Sequence, residues 1–391
     1  MRHVKGLLVF CTALFLFSCS EEQAVRGVTD DEILIGSHLD LSGPASSIGV
    51  QVRNATQMAV TEINASGGIH GRQLRVIFED NGYDPKKAVL ASNKLLSRDK
   101  VFMMLHVLGT PVVLATMDKT LAAGVPHLFP FTAAEQTYEP FHRLKFAAFT
   151  PYYYQTNIIT HDLAKTRGIK KFGILYQDDD FGLNVLKGVE LALADLGYDD
   201  VVKTTYKRGS TDFTTQIARL KSEGVEAVAL ATIVRETAGA VKAARDLGWD
   251  IPFYCTTACY THETIDVGGE AMEGLIAAGQ TEVPYKDDAN PAISAWVTKY
   301  EEEFGLIPSS LALGAYINVM FLAEALEEAG QDLNADRLAK AIEDLPPYVH
   351  PDFGGVPLDF DADNHLGADK SFMAKVENGR WVTVSDILSM E

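Results

Sequence analysis

Gly109-Thr110-Pro111 is the stretch of this chain best suited to holding a negative charge. A β-branched, apolar run from Val101 to Leu105 precedes it, and a segment of helical period from Pro111 to Ala123 follows. Thr110 is a favoured N-cap type, proline suits the first helical position, and Gly109 lets a ligand approach the backbone. Unpaired amides and the dipole at such a helix start make a seat for a carboxylate, although an ordinary capped helix has the same spacing. Phe131-Thr132-Ala133 follows the next short strand, around His127 to Phe129, and offers hydroxyl and carbonyl groups. Pro151-Tyr152-Tyr153-Tyr154 brings broad apolar rings with polar tips, fit for closing over a ligand or for packing at a hinge.

Other constellations point away from chemistry. Cys255-x3-Cys259-x2-His262, with Glu263 beside it, has metal-ligand residue types, but structural zinc wants four ligands at tighter spacing. The two cysteines are instead a candidate disulfide in an oxidising compartment. Gly67-Gly68-x-x-Gly71 has the look of a dinucleotide loop, yet that loop must follow a strand and open a helix. Here the glycines end a helical segment and precede a strand, so they read as a stop and a turn. Asp178-Asp179-Asp180 reads as a solvated loop beside a cleft. With no nucleophile–base pair and no phosphate loop in proper context, the expectation is a binding protein without cofactor or metal, not an enzyme.

The first residues bear on location. Arg2 and Lys5 are followed by an apolar run from Gly6 to Phe17, then Ser18 and Cys19. That run is too short to span a bilayer, which takes about twenty apolar residues, and residues 1–18 read as an export signal. The cysteine after Ser18 resembles the acylation site of a bacterial lipoprotein, so Cys19 is the expected lipidation site and a lipid anchor the only expected membrane attachment. The formal net charge of −19 becomes more negative once Arg2 and Lys5 leave. So acidic a body, with no basic cluster, excludes nucleic acid as a partner.

Over the whole chain, 47% hydrophobic and 22% charged residues describe a soluble protein with a sizeable core. Short strand-like runs alternate with helical segments: Ile33 to Ile35, Ile48 to Asn64, Leu74 to Phe78, Pro85 to Leu96, Val101 to Leu105. Near Pro151 the rhythm restarts, with strands at Phe172 to Tyr176, Val201 to Tyr206, Ala227 to Ala231 and Phe253-Tyr254. Two β-α runs imply two parallel sheets with helices on both faces, that is, an α/β protein of two doubly wound lobes with a ligand cleft between them. Helices after Gln280, at Pro291 to Phe304 and Ser309 to Ala329, place the return to the first lobe there. The expected division is 28–149 with 281–345 in the first lobe, and 150–280 with 346–391 in the second.

Several stretches, in order, resemble the type I periplasmic solute-binding proteins of ABC transporters, in the branch named for leucine and branched-chain amino acids. They are Ile35-Gly36 with Leu41-Ser42-Gly43-Pro44, the run Glu62 to Arg72, Glu79-Asp80, Asp84-Pro85, Gly109-Thr110-Pro111, Leu175 to Asp178 with Phe181-Gly182, Asp212-Phe213, and Ala243 to Gly248. The likeness covers nearly all of the chain after the leader. It implies a monomer that captures a small carboxylate and delivers it to an ABC permease. The alternative is a sensor of the same fold reporting to a membrane receptor, typically fused to a membrane segment and a signalling domain. The implied ligand-binding residues are Ser42, Ile48, Gly109, Thr110, Phe131, Thr132, Ala133, Tyr152, Tyr153, Ile233 and Thr257.

Departures from the leucine-type pattern bear on the ligand. Where those proteins place an acid to meet the ligand ammonium, and a tyrosine one strand earlier, this chain has Thr257 and Ile233. Ile48 replaces the aromatic of the loop after the first strand. A buried ammonium without a carboxylate is costly, so an apolar or aromatic acid is expected to fit at least as well as an amino acid. A shift of one or two residues in the alignment would let Glu263 supply the missing acid.

Overall fold

The computed structural model describes residues 25–390; the leader and Cys19 lie outside them. The chain opens with β1 (Glu32–Leu39), α1 (Ser46–Ala65), β2 (Gln73–Asp80) and α2 (Pro85–Asn93), which continues as a wider helical turn through Lys94–Asp99. Then come β3 (Met103–Leu105), α3 (Thr110–Ala122), β4 (His127–Leu128) and β5 (Lys145–Phe146). These strands form one wholly parallel sheet in the order β2-β1-β3-β4-β5. Ile33 and Ile35 of β1 and every residue of β3 are buried, as a sheet covered on both faces requires.

The second lobe starts at α4 (Tyr152–Arg167) and repeats the unit: β6 (Phe172–Gln177), α5 (Asp180–Leu196), β7 (Val202–Tyr206), α6 (Thr214–Ser222), β8 (Ala227–Ala231), α7 (Val234–Asp246), β9 (Phe253–Cys255), α8 (His262–Gly268) and β10 (Ile276–Gly279). The chain then supplies α9 (Pro291–Phe304), α10 (Ser310–Ala329) and α11 (Ala335–Asp344) to the first lobe. A hairpin of β11 (Tyr348–His350) and β12 (Gly354–Leu358) follows, and β13 (Lys370–Glu377), β14 (Arg380–Thr383) and β15 (Leu388–Ser389) end the chain in the second sheet. That sheet runs β14-β13-β10-β9-β8-β6-β7, with β15 on β13.

Two features differ from the sequence reading. The second sheet is not wholly parallel: β13 lies antiparallel to β10, and β14 and β15 antiparallel to β13, because the chain re-enters after its last crossing from the far direction. The segment from 346 to about 368 stays with the first lobe. Phe360 packs against Phe129, Phe146 and Phe321 at centroid separations of 5.9, 5.6 and 5.7 Å, and Leu366 bridges Ala147 at the sheet edge. Aromatic burial there outweighs sequence proximity to β13. The side chain of Gln280 ties two of the crossing segments, accepting from Thr150 N at 3.1 Å and donating to the Ala148 carbonyl at 3.1 Å.

Cys255 and Cys259 are joined as a disulfide, both wholly buried, with Cα atoms 6.2 Å apart. His262 Nε2 meets the Pro284 carbonyl at 3.3 Å, so this cluster holds no metal-ligand set. Among the described residues, no group of three or more His, Cys, Asp or Glu side chains converges as metal ligands.

Glu236, in the first turn of α7, is 2% exposed, and its Oε2 has no partner. Burial pushes its carboxyl up to about 7, against the opposing pull of its own backbone amide and Arg235. A folded-state value above the unfolded one means that the proton-linked stability is fully present below the unfolded value and is lost as pH rises through 7. Glu236→Gln should therefore be more stable than the wild type by about 1–3 kcal/mol at pH ~8, with the gap closing towards pH ~4. Urea midpoints at both pH values measure it; a gap that does not change with pH would mean that this carboxyl ionises normally.

Candidate ligand-binding site

A cavity lies where the carboxyl ends of the two sheets face each other, holding about 480 Å³ of empty space including its opening. Nine of the eleven expected residues line it: Ile48, Gly109, Thr110, Phe131, Thr132, Ala133, Tyr152, Ile233 and Thr257. Ser42 does not. Its exposed hydroxyl donates to Asp80 Oδ2 at 2.5 Å, tying down the loop after β1. Tyr153 does not either: its hydroxyl pairs with that of Tyr138 at 2.9 Å, and Lys187 Nζ lies 4.2 Å from its ring centroid. On a helix, adjacent residues point about 100° apart, so Tyr152 and Tyr153 cannot share one cavity face.

One end of the cavity is polar. Thr110 and Thr132, both 2% exposed, join hydroxyls at 2.6 Å. The buried phenol of Tyr152 is held above its ordinary pKa by burial, opposed by hydrogen bonding with Thr132 and the Ala133 backbone and then with Thr110. The backbone N–H groups of Thr110, Thr132 and Ala133 donate to no protein group among the described residues. Thr110 is not the cap. Gly109 takes that position at φ 106°, and Thr110 is the first helical residue, its hydroxyl turned to Thr132. Gly109 is required for a reason the sequence did not show: its φ is left-handed, and a Cβ would collide with the Tyr83 ring. Amides and hydroxyls at a helix start can surround a carboxylate without any cationic side chain.

The rest of the wall is apolar. Ala45, Leu108, Phe149, Phe181, Ala258 and Leu311 complete it, together with Tyr83. Among the described residues, no Asp, Glu, Lys or Arg lines the cavity. Glu263, the possible substitute acid, is not in its wall: Gln51 Nε2 donates to its Oε1 at 2.9 Å, and Gln51 is itself fixed by Tyr300 and the Ile307 carbonyl. The unforeseen lining residues come from turns and crossings. Tyr83 stands at φ 54° in the turn after β2, where Asn81-Gly82 before Asp84-Pro85 signals a sharp bend at a strand's carboxyl end.

Tyr83 also joins the lobes. Gln177 Nε2 donates to its hydroxyl at 3.3 Å, Arg208 Nη1 donates to its carbonyl at 2.8 Å, and the guanidinium lies 4.9 Å from its ring centroid. Arg208 Nη2 in turn donates to Asp179 at 3.0 Å. The aspartate run is thus only partly a solvated loop: Asp178 and Asp180 are exposed, while Asp179 caps α5 and anchors this latch. With Gln51–Glu263 on the other flank, the cavity is bounded on two sides by contacts between lobes.

A family model of periplasmic binding proteins matches residues 32–380. The leucine-, isoleucine-, valine-, threonine- and alanine-binding protein of Pseudomonas aeruginosa is 25% identical over 312 residues, 80% of this chain and 82% of that protein. The fatty acid ABC transporter substrate-binding protein of Thermomonospora curvata is similar in structure at a TM-score of 0.84, with 25% identity over 94% of this chain and 95% of that one. A branched-chain amino acid ABC transporter structure from Thermus thermophilus with bound valine shares the fold, at a TM-score of 0.83 and 19% identity, covering 93% of this chain and 97% of that one.

If the polar end seats a carboxylate, Thr110→Val removes one hydroxyl and its bond to that of Thr132, and keeps the side chain's shape. Affinity for a carboxylate ligand should fall by about 1 kcal/mol or more, roughly five- to tenfold. Isothermal calorimetry reads the change, with circular dichroism as the control for folding. Equal affinities in the two proteins would take Thr110 out of the site.

Proposed function

The chain belongs to the periplasmic binding protein family, whose members bind solutes and do not transform them, and from that we propose that it captures an apolar or aromatic carboxylate lacking an ammonium group. The family places it in the periplasm or otherwise outside the cytoplasm. In this reading the ligand carboxylate sits among Thr110, Thr132, Tyr152 and the free amides, and its body fills the space between Ile48, Phe131, Phe181 and Ile233. A monomer, tethered through lipid on Cys19, would then hand the solute to an ABC permease. The observation that carries the ligand class is the uncharged wall. A zwitterion would bring an ammonium into a closed cavity with no carboxylate to meet it, and effective penalties for such a charge are about several kcal/mol, enough to erase micromolar binding. Support also comes from the fatty acid-binding relative, which is as similar in sequence as the amino acid-binding one.

The amino acid-binding relatives favour a second reading, a branched-chain amino acid as the solute. Calorimetric titration of leucine against its 2-oxo analogue and phenylacetate separates the two. The acids should bind at least about tenfold tighter than leucine, since a single lost charge pairing is worth more than about 1.4 kcal/mol. Micromolar leucine with silent acids would establish the second reading.

Closure is the other expectation. The latch at Tyr83 and the Gln51–Glu263 contact join the lobes across the cleft in a shut form, and the ligand-free protein should sample an opened form in which hinge motion parts them. Small-angle scattering should show a smaller radius of gyration on saturation with a tight acid. An unchanged radius would mean that the shut form prevails without ligand.

A further inference from the structure

A second cavity adjoins the first and shares Phe149, Thr257 and Leu311 with it. It holds about 570 Å³ of empty space including its opening and runs along the hinge, between the first half of α10, Gln280 and Thr281, and the β11–β12 hairpin. Among the described residues, no Asp, Glu, Lys or Arg lines it. Most polar groups in its wall are already engaged. Gln280 bridges Ala148 and Thr150, Ser310 Oγ donates to the Tyr260 carbonyl at 2.6 Å, and Thr281 Oγ1 donates to the Ser310 carbonyl at 3.1 Å.

Two residues in that wall have no role in the fold that accounts for them. Gly314 lies inside α10 without a left-handed φ, and a Cβ there would meet only Thr281 Oγ1, at 4.0 Å. Glycine weakens a helix interior relative to alanine, so a glycine with room for a larger side chain keeps space free. Asn318 stands one turn further on, the same side of the helix by the four-residue spacing. It is 5% exposed, lines the cavity, and its amide has no hydrogen-bond partner among the described residues. The Thr257 hydroxyl, at the junction of the two cavities, is likewise without one. Neither group is sealed from solvent, so each presents a free hydrogen-bonding site to whatever occupies the cavity.

We infer that the second cavity takes the far end of an elongated carboxylate, which passes between Phe149 and Leu311 and ends in an uncharged hydrogen-bonding group on the Asn318 amide. This rests on the first cavity seating the carboxylate. The tail group is uncharged because no Asp, Glu, Lys or Arg of the described residues lines the wall, and burial holds the His350 imidazole below its ordinary range, towards the neutral form. A hydroxyl, carbonyl or amide satisfies Asn318, and methylenes or an aryl ring fill the space that Gly314 leaves.

Calorimetry on the whole chain with butanoate, octanoate and the omega-hydroxy derivative of octanoate tests this. Octanoate should bind at least about tenfold tighter than butanoate, from burial of the added methylenes. The omega-hydroxyl should add a further gain of about threefold or more that disappears in Asn318→Leu. Gly314→Leu should abolish the advantage of both long acids while leaving butanoate within about twofold. Should the leucine variant fail to fold, Gly314→Ala keeps the test, with a smaller loss for the long acids and a raised melting temperature. Equal binding of butanoate and octanoate by the wild type, with butanoate weakened about fivefold or more in Thr110→Val, overturns the second cavity and leaves the first as proposed. A chain-length advantage that survives Gly314→Leu also overturns it. If none of the three acids binds, both readings fall together.

Discussion

Strand direction is the constraint from which the site follows. All five strands of the first sheet run the same way, so each strand-to-helix turn emerges on one edge. The turns after β1, β2 and β3 therefore deliver Ala45, Tyr83 and Thr110 to one place, and the short segment after β4 adds Phe131 and Thr132 beside them. The second sheet does the same from the other side with Ile233 after β8 and Thr257 after β9. Were these neighbouring strands antiparallel, half of the turns would point away. A parallel sheet also brings helix starts to that edge, so unpaired amides arrive with the side chains at no extra design cost.

What distinguishes this cavity is how little charge it contains. Its polar end is built from dipoles and hydroxyls, which stabilise an anion without bringing a counter-ion that would itself need desolvating. The nearby ions are spent elsewhere. Arg208 and Asp179 neutralise each other at the latch, and Glu263 is held by Gln51. Electrostatic pairing thus lies at the rim, where the lobes meet, and in the proposed reading the interior discriminates by shape and by solvation.

Much of this was legible in the chain itself, because period and turn chemistry are local. The alternation of strand and helix foretold two wound lobes, and residues just past strand ends, such as Thr110, Phe131, Ile233 and Thr257, reached the cavity as expected. Errors arose where geometry depended on something distant. Thr110 has the residue type of a cap, but Gly109 takes the cap position because Tyr83, from another turn, packs on it. Tyr153 was grouped with Tyr152 by adjacency, which a helix turns into divergence. Phe149 and Leu311 lie on a crossing segment and a late helix, where no local signal marks a cavity wall. The 346–368 stretch carries too little regular structure for its period to show which sheet it joins; only the packing of Phe360 does.

The three crossings between lobes leave neither lobe with a contiguous stretch of sequence. The first lobe waits for α10 and for Phe360, and the second waits for β13, whose pairing covers the edge of β10. Thr150 at the first crossing donates its hydroxyl to the Lys370 carbonyl at the last, joining points 220 residues apart. Contacts of such span close large loops, and that entropy must be lost before the contacts repay it. Folding is therefore a late event in the life of the chain. While it emerges, each half-built lobe presents an open strand edge and an unpaired apolar face, so the polypeptide stays pliable until nearly all of it has arrived and then commits as a whole.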